Sequence, residues 1–257
     1  MVNKMKVSKY HGCENVFLIV DYEASVDFQK LSTQLCNSFL ADGMIVFKND
    51  PIEMIFYNKD GSLAKMCGNG IRCLMHYLYH KFNIYKYLKV KIADNFYECQ
   101  INHINPFIVT VALGLGDYVS DIINKKIIVD DKEFVVSAFE IGVKHLVVIS
   151  EDFNEDLPYI EKIFNHELFN REYNINFVKY LTNDTFEIVT YEKGVGLTKG
   201  CGTGAAASAY ILHTEYMMDK NLTAINQGGI LKIDIEEEIF LTGESKFVCE
   251  YEVWKSY

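Results

Sequence analysis

An internal repeat of 18 residues is the feature of this sequence that most constrains its fold. Residues 53–70 read EMIFYNKDGSLAKMCGNG, and residues 187–204 read EIVTYEKGVGLTKGCGTG. Without gaps the two segments agree at eight of 18 positions, and their cysteines, Cys67 and Cys201, stand 134 residues apart in a chain of 257. Each copy has the pattern of a strand, a turn and a helix that begins at Cys-Gly-x-Gly. The repeat therefore predicts a duplicated unit, one copy in each of two lobes that face each other across a cleft.

Composition limits the classes of protein to which this chain can belong. With 49% hydrophobic and 23% charged residues it is an ordinary globular chain, which excludes disordered and collagen-like classes. The 25 Lys and Arg residues against 35 Asp and Glu residues give a net charge of −10, and the chain has no basic run. We therefore expect neither nucleic acid nor an anionic membrane as a partner, and a small-molecule substrate instead.

The cysteines and the apolar runs predict where the protein resides. No apolar stretch approaches the roughly 18 residues of a membrane span. The first residues run into a strand-like segment and lack the apolar core of a signal peptide. Seven cysteines occur without any C-x-x-C pair, which predicts a cytoplasmic protein with reduced thiols. Structural zinc usually has closely spaced ligand pairs, so no metal site is expected.

Apolar alternation predicts an α+β chain in which strands dominate. The predicted strands are residues 16–21, 43–47, 53–57, 88–93, 107–112, 133–139, 146–149, 176–180, 186–191, 232–235 and 246–252. Helical spacing occurs at residues 28–40, 71–81, 157–163 and 205–217. A glycine-containing segment near the middle of the chain predicts a boundary between lobes 1–115 and 116–244, with a C-terminal strand, 245–257, that returns to the first lobe.

The repeated Cys-Gly-x-Gly predicts a pair of tuned thiols. A cysteine at a helix N-terminus lies at the positive end of the macrodipole, which favours the thiolate, and the N–H groups there bind anions such as carboxylates. Two such sites place a thiolate on one face of a bound carbon and a thiol on the other. This arrangement fits racemisation at the α-carbon of an amino acid without pyridoxal phosphate. A redox disulfide between the two cysteines is a second interpretation, and phosphate binding is a weaker one.

Several blocks of the sequence resemble the diaminopimelate epimerase family of cofactor-independent amino-acid racemases. The stretch His11-Gly12-Cys13-Glu14-Asn15 resembles the family's opening HGxGN. The segments around Cys67, from Tyr57 to Cys73, and around Cys201, from Glu192 to Gly204, are similar to its two catalytic blocks. Gly228-Gly229 and Leu241-Thr242-Gly243 resemble its C-terminal end. The resemblance extends over nearly the whole chain.

This resemblance implies a fold, a reaction and a set of site residues. Each lobe would be a mixed sheet wrapped around a central helix, the active site would lie between the lobes, and no cofactor would be needed. Members of the family are often homodimers. The implied acid/base residues are Cys67 and Cys201, and the implied substrate-binding residues are Asn15, Asn58, Gly68, Asn69, Asn174, Glu192, Gly202 and Thr203, with His145 beside them. By residue type alone, Asn58 is equally typical of a turn, Asn174 of a cap and His145 of a hydrogen-bonded core histidine.

The departures from the family pattern concern the far end of the substrate. Where the family has Glu-Arg-Gly this chain has Lys193 in the middle, and where the family has Gly-Asn-Pro-His it has Val143 in place of the asparagine. A lysine cannot grip a carboxylate bidentately as a guanidinium does, and valine offers no hydrogen bond. Lys193 and Val143 therefore predict altered specificity, unless Arg171 replaces the missing arginine.

Four hypotheses about function follow from these residues. Histidine racemisation leads, because an imidazole suits a pocket with Glu192, Asn58 and an apolar Val143 wall. Diaminopimelate epimerisation is the alternative if the exchanges at Lys193 and Val143 do not affect specificity. Glutamate, or another amino acid with only one α-amino-acid group, stays open as a substrate. A binding or redox module, in which the thiols transfer no proton, is the hypothesis of another class.

Overall fold

Strands outnumber helices in the computed structural model, which describes residues 4–64, 66–84, 86–119 and 122–254. The chain divides into two compact units, Met1–Ala112 with Thr242–Tyr257, and Leu113–Leu241. These boundaries lie three residues before each of the positions expected from the sequence, 115/116 and 244/245. The predicted α+β class with two similar lobes is confirmed.

The first unit contains eight strands from the N-terminal part of the chain and one from its end. They are β1 Lys4–Gly12, β2 Asn15–Asp21, β3 Gly43–Asn49, β4 Ile52–Asn58, β5 Leu63–Ala64, β6 Tyr87–Ile92, β7 Asn95–Ile104, β8 Phe107–Ala112 and β19 Lys246–Trp254. Helix α1 Phe28–Ser38 lies between β2 and β3, and helix α2 Gly68–Phe82 between β5 and β6. The final strand β19 pairs antiparallel with β1, so the chain end completes the first sheet.

The second unit is built from the middle of the chain. Its strands are β9 Asp117–Tyr118, β10 Lys125–Val129, β11 Lys132–Ile141, β12 Val143–Ile149, β13 Asn174–Tyr180, β14 Thr185–Glu192, β15 Gly196–Thr198, β16 Asn221–Asn226, β17 Gly229–Ile235 and β18 Ile239–Glu244, the last of which ends beyond the unit boundary. Its helices are α3 Phe153–Asp156, α4 Ile160–Phe164 and α5 Gly202–Tyr216. A 3₁₀ turn, Leu157–Tyr159, joins α3 to α4.

The two units share one pattern of strand pairing. In the first unit β1–β2 is antiparallel, β2–β3 parallel, β3–β4 and β4–β5 antiparallel, and β4–β6 parallel. In the second unit β11–β12, β12–β13, β13–β14, β14–β15 and β14–β16 follow the same order of directions. The duplication therefore extends from the 18-residue repeat to six consecutive strands of each unit, β1 to β6 and β11 to β16.

Each unit has a central helix with almost no exposed face. Every residue from 68 to 78 of α2 is buried, and so are residues 202–209 of α5. Helix α2 packs on strands β1, β2, β3, β4, β8 and β19 of its unit, and α5 packs on β11, β12, β13, β16 and β17. A helix that is buried on all sides needs a sheet wrapped around it, as the resemblance implied.

The predicted helices differ from the observed ones mainly at their starts. Helices α2 and α5 begin three residues earlier than the apolar spacing indicates, because their first turns consist of small or polar residues that carry no apolar period. The segment predicted as a helix over 157–163 begins as the 3₁₀ turn with Pro158 in it, and α-helical geometry starts only at Ile160. Within the described residues, no helix has the length and apolar character that crossing a membrane requires.

Candidate active site

Each central helix begins at a cysteine that caps its own first turn. Cys67 precedes α2 with extended backbone (φ −152°, ψ 104°), and its Sγ accepts a hydrogen bond of 3.3 Å from the N–H of Gly70. Cys201 precedes α5 in a similar conformation (φ −117°, ψ 118°), and its Sγ accepts 3.4 Å from the N–H of Gly204. A thiol thus takes the place that serine, threonine or aspartate usually has at an N-cap. A hydrogen bond donated to sulfur, together with the helix macrodipole, favours the thiolate form.

The second glycine of each motif is required by packing within its own unit. A Cβ atom at Gly70 would lie 2.8 Å from Cε of Met54, and one at Gly204 would lie 2.3 Å from Oδ1 of Asn176. Side chains from the strands of the same unit already occupy the space that a side chain at either glycine would need. The glycines therefore seat each helix start directly on its sheet.

A buried cation lies beneath the first turn of α2. The Arg72 side chain is fully buried, and its guanidinium donates to Oδ1 of Asn69 at 2.7 Å and to the carbonyl of Gly68 at 3.2 Å. Asn69 Nδ2 lies 3.5 Å from Oδ1 of Asn15, whose own Nδ2 donates to Asp42 at 3.0 Å. Among the described residues Arg72 forms no ion pair with a carboxylate. The structure therefore joins three of the predicted site residues, Gly68, Asn69 and Asn15, to one positive charge.

Asn58 lies at the end of β4 and holds the turn that follows. Its Nδ2 donates to Oγ of Ser62 at 2.9 Å, and its backbone N–H donates to the Ser62 carbonyl at 2.8 Å. Asp60 accepts from both the hydroxyl and the N–H of Ser62, which lowers the pKa of its carboxyl. Asn58 is therefore a turn residue in the structure, as its residue type allowed.

The corresponding corner of the second unit holds Asn174, Glu192 and Lys193. Oδ1 of Asn174 accepts from the backbone N–H of Lys193 at 2.9 Å, and Oε1 of Glu192 accepts from Oγ1 of Thr198 at 2.8 Å. The Lys193 side chain is exposed. Thr203, the second residue of α5, has its Oγ1 3.5 Å from Sγ of Cys201. The structure therefore brings Asn174, Glu192 and Lys193 together at one end of β13 and β14.

His145 lies in the interior of the second unit. It is fully buried on β12, and burial lowers its pKa to about 3. Its Nδ1 is 3.2 Å from Nδ2 of Asn176, and Oδ1 of Asn176 accepts from the hydroxyl of Thr190 at 3.0 Å. Asn176 is also the residue against which Gly204 packs, so this buried group supports the start of α5.

Comparison with known proteins decides the family. The family model described as Diaminopimelate epimerase matches residues 7–118 and 137–248, once for each unit. The chain belongs to the diaminopimelate epimerase family. A diaminopimelate epimerase of Clostridium perfringens (strain 13 / Type A) is 32% identical over 270 residues, 96% of this chain and 98% of that one. One of Alkaliphilus metalliredigens (strain QYMF) is 29% identical and covers 96% of each chain.

Solved structures agree on the fold of this family member. A phenazine biosynthesis protein of the PhzF family from Bacillus anthracis superposes with a TM-score of 0.73 at 14% identity, covering 98% of this chain and 100% of that one. A hydroxyproline epimerase from Agrobacterium vitis gives a TM-score of 0.73 at 11% identity, with 97% and 91% covered. These likenesses support the fold, while the family match places the chain among the isomerases that epimerise or racemise amino acids.

The five other cysteines of this epimerase-family chain occupy apolar or peripheral positions. Burial raises the pKa of three of their thiols to about 12, those of Cys36, Cys73 and Cys99. Cys13 is buried beside Arg72, and Cys249 is half-buried on β19. By residue type a free cysteine is expected to be a small buried hydrophobic residue, and four of the five agree, whereas Cys249 is only half-buried. Among the described residues no cluster of three or more His, Cys, Asp or Glu side chains has the arrangement of a metal site.

Sequence reasoning missed three residues that support the site. Arg72 lies in the segment similar to the first catalytic block but received no role of its own, and Asn176 and Thr190 were included only in predicted strands. The available signal was a polar residue at an inward-facing position of an otherwise apolar strand. Buried polar residues need partners, so such positions indicate a buried polar group even where no motif covers them.

Proposed function

We propose that this protein is a cofactor-independent amino-acid racemase or epimerase in which Cys67 and Cys201 are the two acid/base groups. One observation carries the proposal: each unit caps a 15-residue central helix with a cysteine whose sulfur accepts the third N–H of that helix. A two-base reaction needs two such groups, one for each face of the α-carbon. The thiolate removes the Cα proton, and the thiol delivers a proton to the opposite face.

The helix starts suit the charge that develops during this reaction. Loss of the Cα proton moves negative charge onto the substrate's α-carboxylate, and helix N-termini stabilise negative charge. We assign this role to the first turns of α2 and α5, through Gly68 and Asn69 in one and Gly202 and Thr203 in the other. The Arg72 guanidinium beneath the α2 turn adds a positive charge on that side.

For the substrate we infer an amino acid with a single amino-acid head group, and histidine is the first candidate. The support is the pair of exchanges in the second unit: exposed Lys193 stands where the family has arginine, and half-buried Val143 stands where it has asparagine. The Nε of Arg171 donates to Oδ1 of Asn165 at an exposed position, and we assign Arg171 no role at the distal end of the substrate. Lys144 is engaged as well, in an ion pair of 2.8 Å with Glu172.

Diaminopimelate is the second candidate, and the similar proteins favour it. The relatives from Clostridium perfringens and Alkaliphilus metalliredigens, which cover 96% of this chain, are both named diaminopimelate epimerase. If this chain has the same substrate, Lys193 would bind the distal carboxylate as a single point charge. The two candidates differ only at the distal end of the substrate, so one experiment separates them.

The experiment is solvent deuterium incorporation at Cα, followed by NMR in D₂O with reduced protein. The panel holds diaminopimelate, histidine, glutamate, proline and alanine, and a Cys67→Ser/Cys201→Ser double variant is the control. Exchange with histidine and not with diaminopimelate supports the leading proposal. Exchange with diaminopimelate alone replaces it by the second candidate. If the wild-type protein incorporates no deuterium into any amino acid of the panel, both substrate candidates are contradicted.

A further inference from the structure

Three equivalent strand positions beneath the central helix carry different side chains in the two units. Thr190 follows Phe56 by the repeat interval of 134 residues, and each lies on the strand before its cysteine turn. Asn176 lies opposite Thr190 on β13, as Ile45 lies opposite Phe56 on β3. By the same register on the next strand, His145 on β12 is the counterpart of Phe17 on β2.

In the first unit this place is filled by apolar side chains. The rings of Phe17 and Phe56 meet edge to face with centroids 5.6 Å apart, and both side chains are buried. Cδ1 of Ile45 lies 3.3 Å from the Cβ position of Gly70, in the first turn of α2. The fold therefore does not require polar side chains at these three positions, and the polar residues of the second unit need another explanation.

In the second unit the same three positions form one hydrogen-bonded group, His145, Asn176 and Thr190. All three are buried, at 0%, 0% and 2% exposed. Nδ2 of Asn176 lies 3.3 Å from the backbone carbonyl of Leu146, which can only accept a hydrogen bond. The amide nitrogen must therefore be at that end, and Oδ1 is left to accept from the Thr190 hydroxyl. The orientation of the Asn176 amide is fixed from both ends.

The amide orientation determines where His145 carries its proton. Nδ2 of Asn176 has only hydrogens to offer, so the Nδ1 atom 3.2 Å away must accept and cannot itself be protonated. A neutral ring then has its hydrogen on Nε2, which has no hydrogen-bond partner among the described residues. Burial lowers the pKa of the His145 imidazole and so favours the neutral ring. The second unit thus contains an uncharged donor, the Nε2–H group of His145, with no acceptor among the described residues.

We propose that Asn176, held by Thr190, is a positioning residue that fixes neutral His145 with its proton on Nε2, and that turnover at the unit bearing Cys201 depends on this tautomer. This inference rests on the proposed function for its role in catalysis, although the tautomer itself does not. The connection to the cysteine is direct within the unit, because Oδ1 of Asn176 fills the space beside Gly204 in the turn that Cys201 caps.

The first test needs no assay of activity. Full-length protein is labelled with ¹⁵N-histidine, and long-range ¹H–¹⁵N spectra distinguish the two neutral tautomers, with His145 assigned by the loss of its signals in His145→Gln. We expect an unprotonated Nδ1 and a protonated Nε2 at neutral pH. A His145 ring protonated on Nδ1, or a mixture of the two tautomers, would overturn the proposal.

Two sets of variants then connect the tautomer to the reaction. Asn176→Asp replaces the donating amide nitrogen by an acceptor and should move the proton to Nδ1, with kcat lowered at least about tenfold and KM changed less.

Thr190→Val removes the hydroxyl and should give mixed tautomers and a lower kcat, whereas Thr190→Ser keeps the hydroxyl and should behave as wild type. Equal behaviour of the valine and serine variants would contradict the role of Thr190.

The outcomes separate this inference from the proposed function. An Asn176→Asp variant with an inverted tautomer and wild-type turnover would overturn the catalytic role of the group. A wild-type protein that exchanges no Cα proton with any amino acid of the panel, yet shows the Nε2–H tautomer and its inversion in Asn176→Asp, would remove the proposed function and leave the tautomer assignment standing.

Discussion

Arg72 donates a hydrogen bond of 2.7 Å to the side chain of Asn69, three residues earlier on the same buried helix. The position one repeat interval later is Ala206, which is equally buried and carries no charge. The first cysteine turn therefore has a cation within one helical turn, and the second has none at that position. Two turns that look equivalent in the sequence are electrostatically unequal in the folded protein, so their thiols should differ in reactivity.

The first prediction concerns this inequality. Arg72→Met should slow alkylation of Cys67 by iodoacetamide about tenfold, because loss of a neighbouring positive charge disfavours the thiolate, which is the reacting form. Cys201 in the same sample is the internal control and should keep its rate. Peptide mass spectrometry over a time course at about pH 7 measures both rates. A slowdown shared equally by the two cysteines would indicate a general change of structure instead.

The second prediction concerns the two thiols themselves. Cys67→Ser and Cys201→Ser should each lower the racemisation rate by a factor of about 10³, since general acid–base groups typically contribute roughly 10²–10⁴ and a serine hydroxyl is a poor base. Polarimetry or chiral chromatography of the exchanging amino acid gives the rate. Cys249→Ser, on β19, is the matched control and should retain wild-type activity. Substantial racemisation by Cys67→Ser or Cys201→Ser would contradict the assignment of these two cysteines as the acid/base groups.

The sequence predicted those parts of the fold that depend on local patterns. All eleven predicted strands are present, because each carries its apolar residues in alternation or in a short run. Several other strands, β1 and β7 among them, were not predicted; in β7 polar and charged residues hide the alternation, and its pairing partners are β6 and β8. The N-cap cysteines were predictable for the same local reason, since the motif and the helix it begins are adjacent in the chain.

The rest of the site depends on pairings that a single sequence does not display. His145, Asn176 and Thr190 lie on three strands and meet only because β12, β13 and β14 are neighbours in one sheet. Their residue types are compatible with either surface or core positions. Only the strand register shows that all three lie beneath the start of one helix.

A third prediction concerns backbone strain in the turn between β1 and β2. Glu14 has φ +56°, a left-handed conformation that favours glycine, and the family motif has glycine at this place. Glu14→Gly should raise the free energy of unfolding by about 0.5–1 kcal/mol, because the relief of strain exceeds the entropy that glycine adds to the unfolded chain. Urea denaturation measures the change. A loss of stability would show that the side-chain contacts of Glu14 outweigh the strain.

A fourth prediction concerns acid stability. His145 has its ordinary pKa of 6.5 when unfolded and a pKa of about 3 when folded, and the pKa of His76 is lowered to about 4, in both cases chiefly by burial. The unfolded state therefore binds more protons between these values, and stability falls as the pH falls below 6.5. Each histidine should cost about 2 kcal/mol between about pH 7 and pH 5.

Urea denaturation at several pH values in that interval tests the linkage. Carboxylates with lowered pKa, such as Glu172 and Asp184, lose their contribution only at lower pH, so the interval isolates the histidines. In His145→Gln the free energy of unfolding should depend less steeply on pH, because the contribution of one of the two histidines is lost. The same substitution at exposed His103 is the control and should leave the slope unchanged. An unchanged slope in His145→Gln would contradict the neutral buried imidazole.

The last prediction concerns the distal end of the substrate. Lys193→Arg combined with Val143→Asn restores the family's residues, and it should raise kcat/KM for diaminopimelate relative to histidine at least about tenfold. The reason is geometric: a guanidinium donates two parallel hydrogen bonds to a carboxylate, and a bidentate contact of this kind discriminates by more than one point charge does. Val143 is the first residue of β12, and Lys193 directly follows the last residue of β14. Lys179→Arg, a lysine-to-arginine change on β13, is the matched control and should leave the ratio unchanged. If the double variant keeps the wild-type ratio, then Lys193 and Val143 do not set specificity, and the distal subsite lies elsewhere in the second unit.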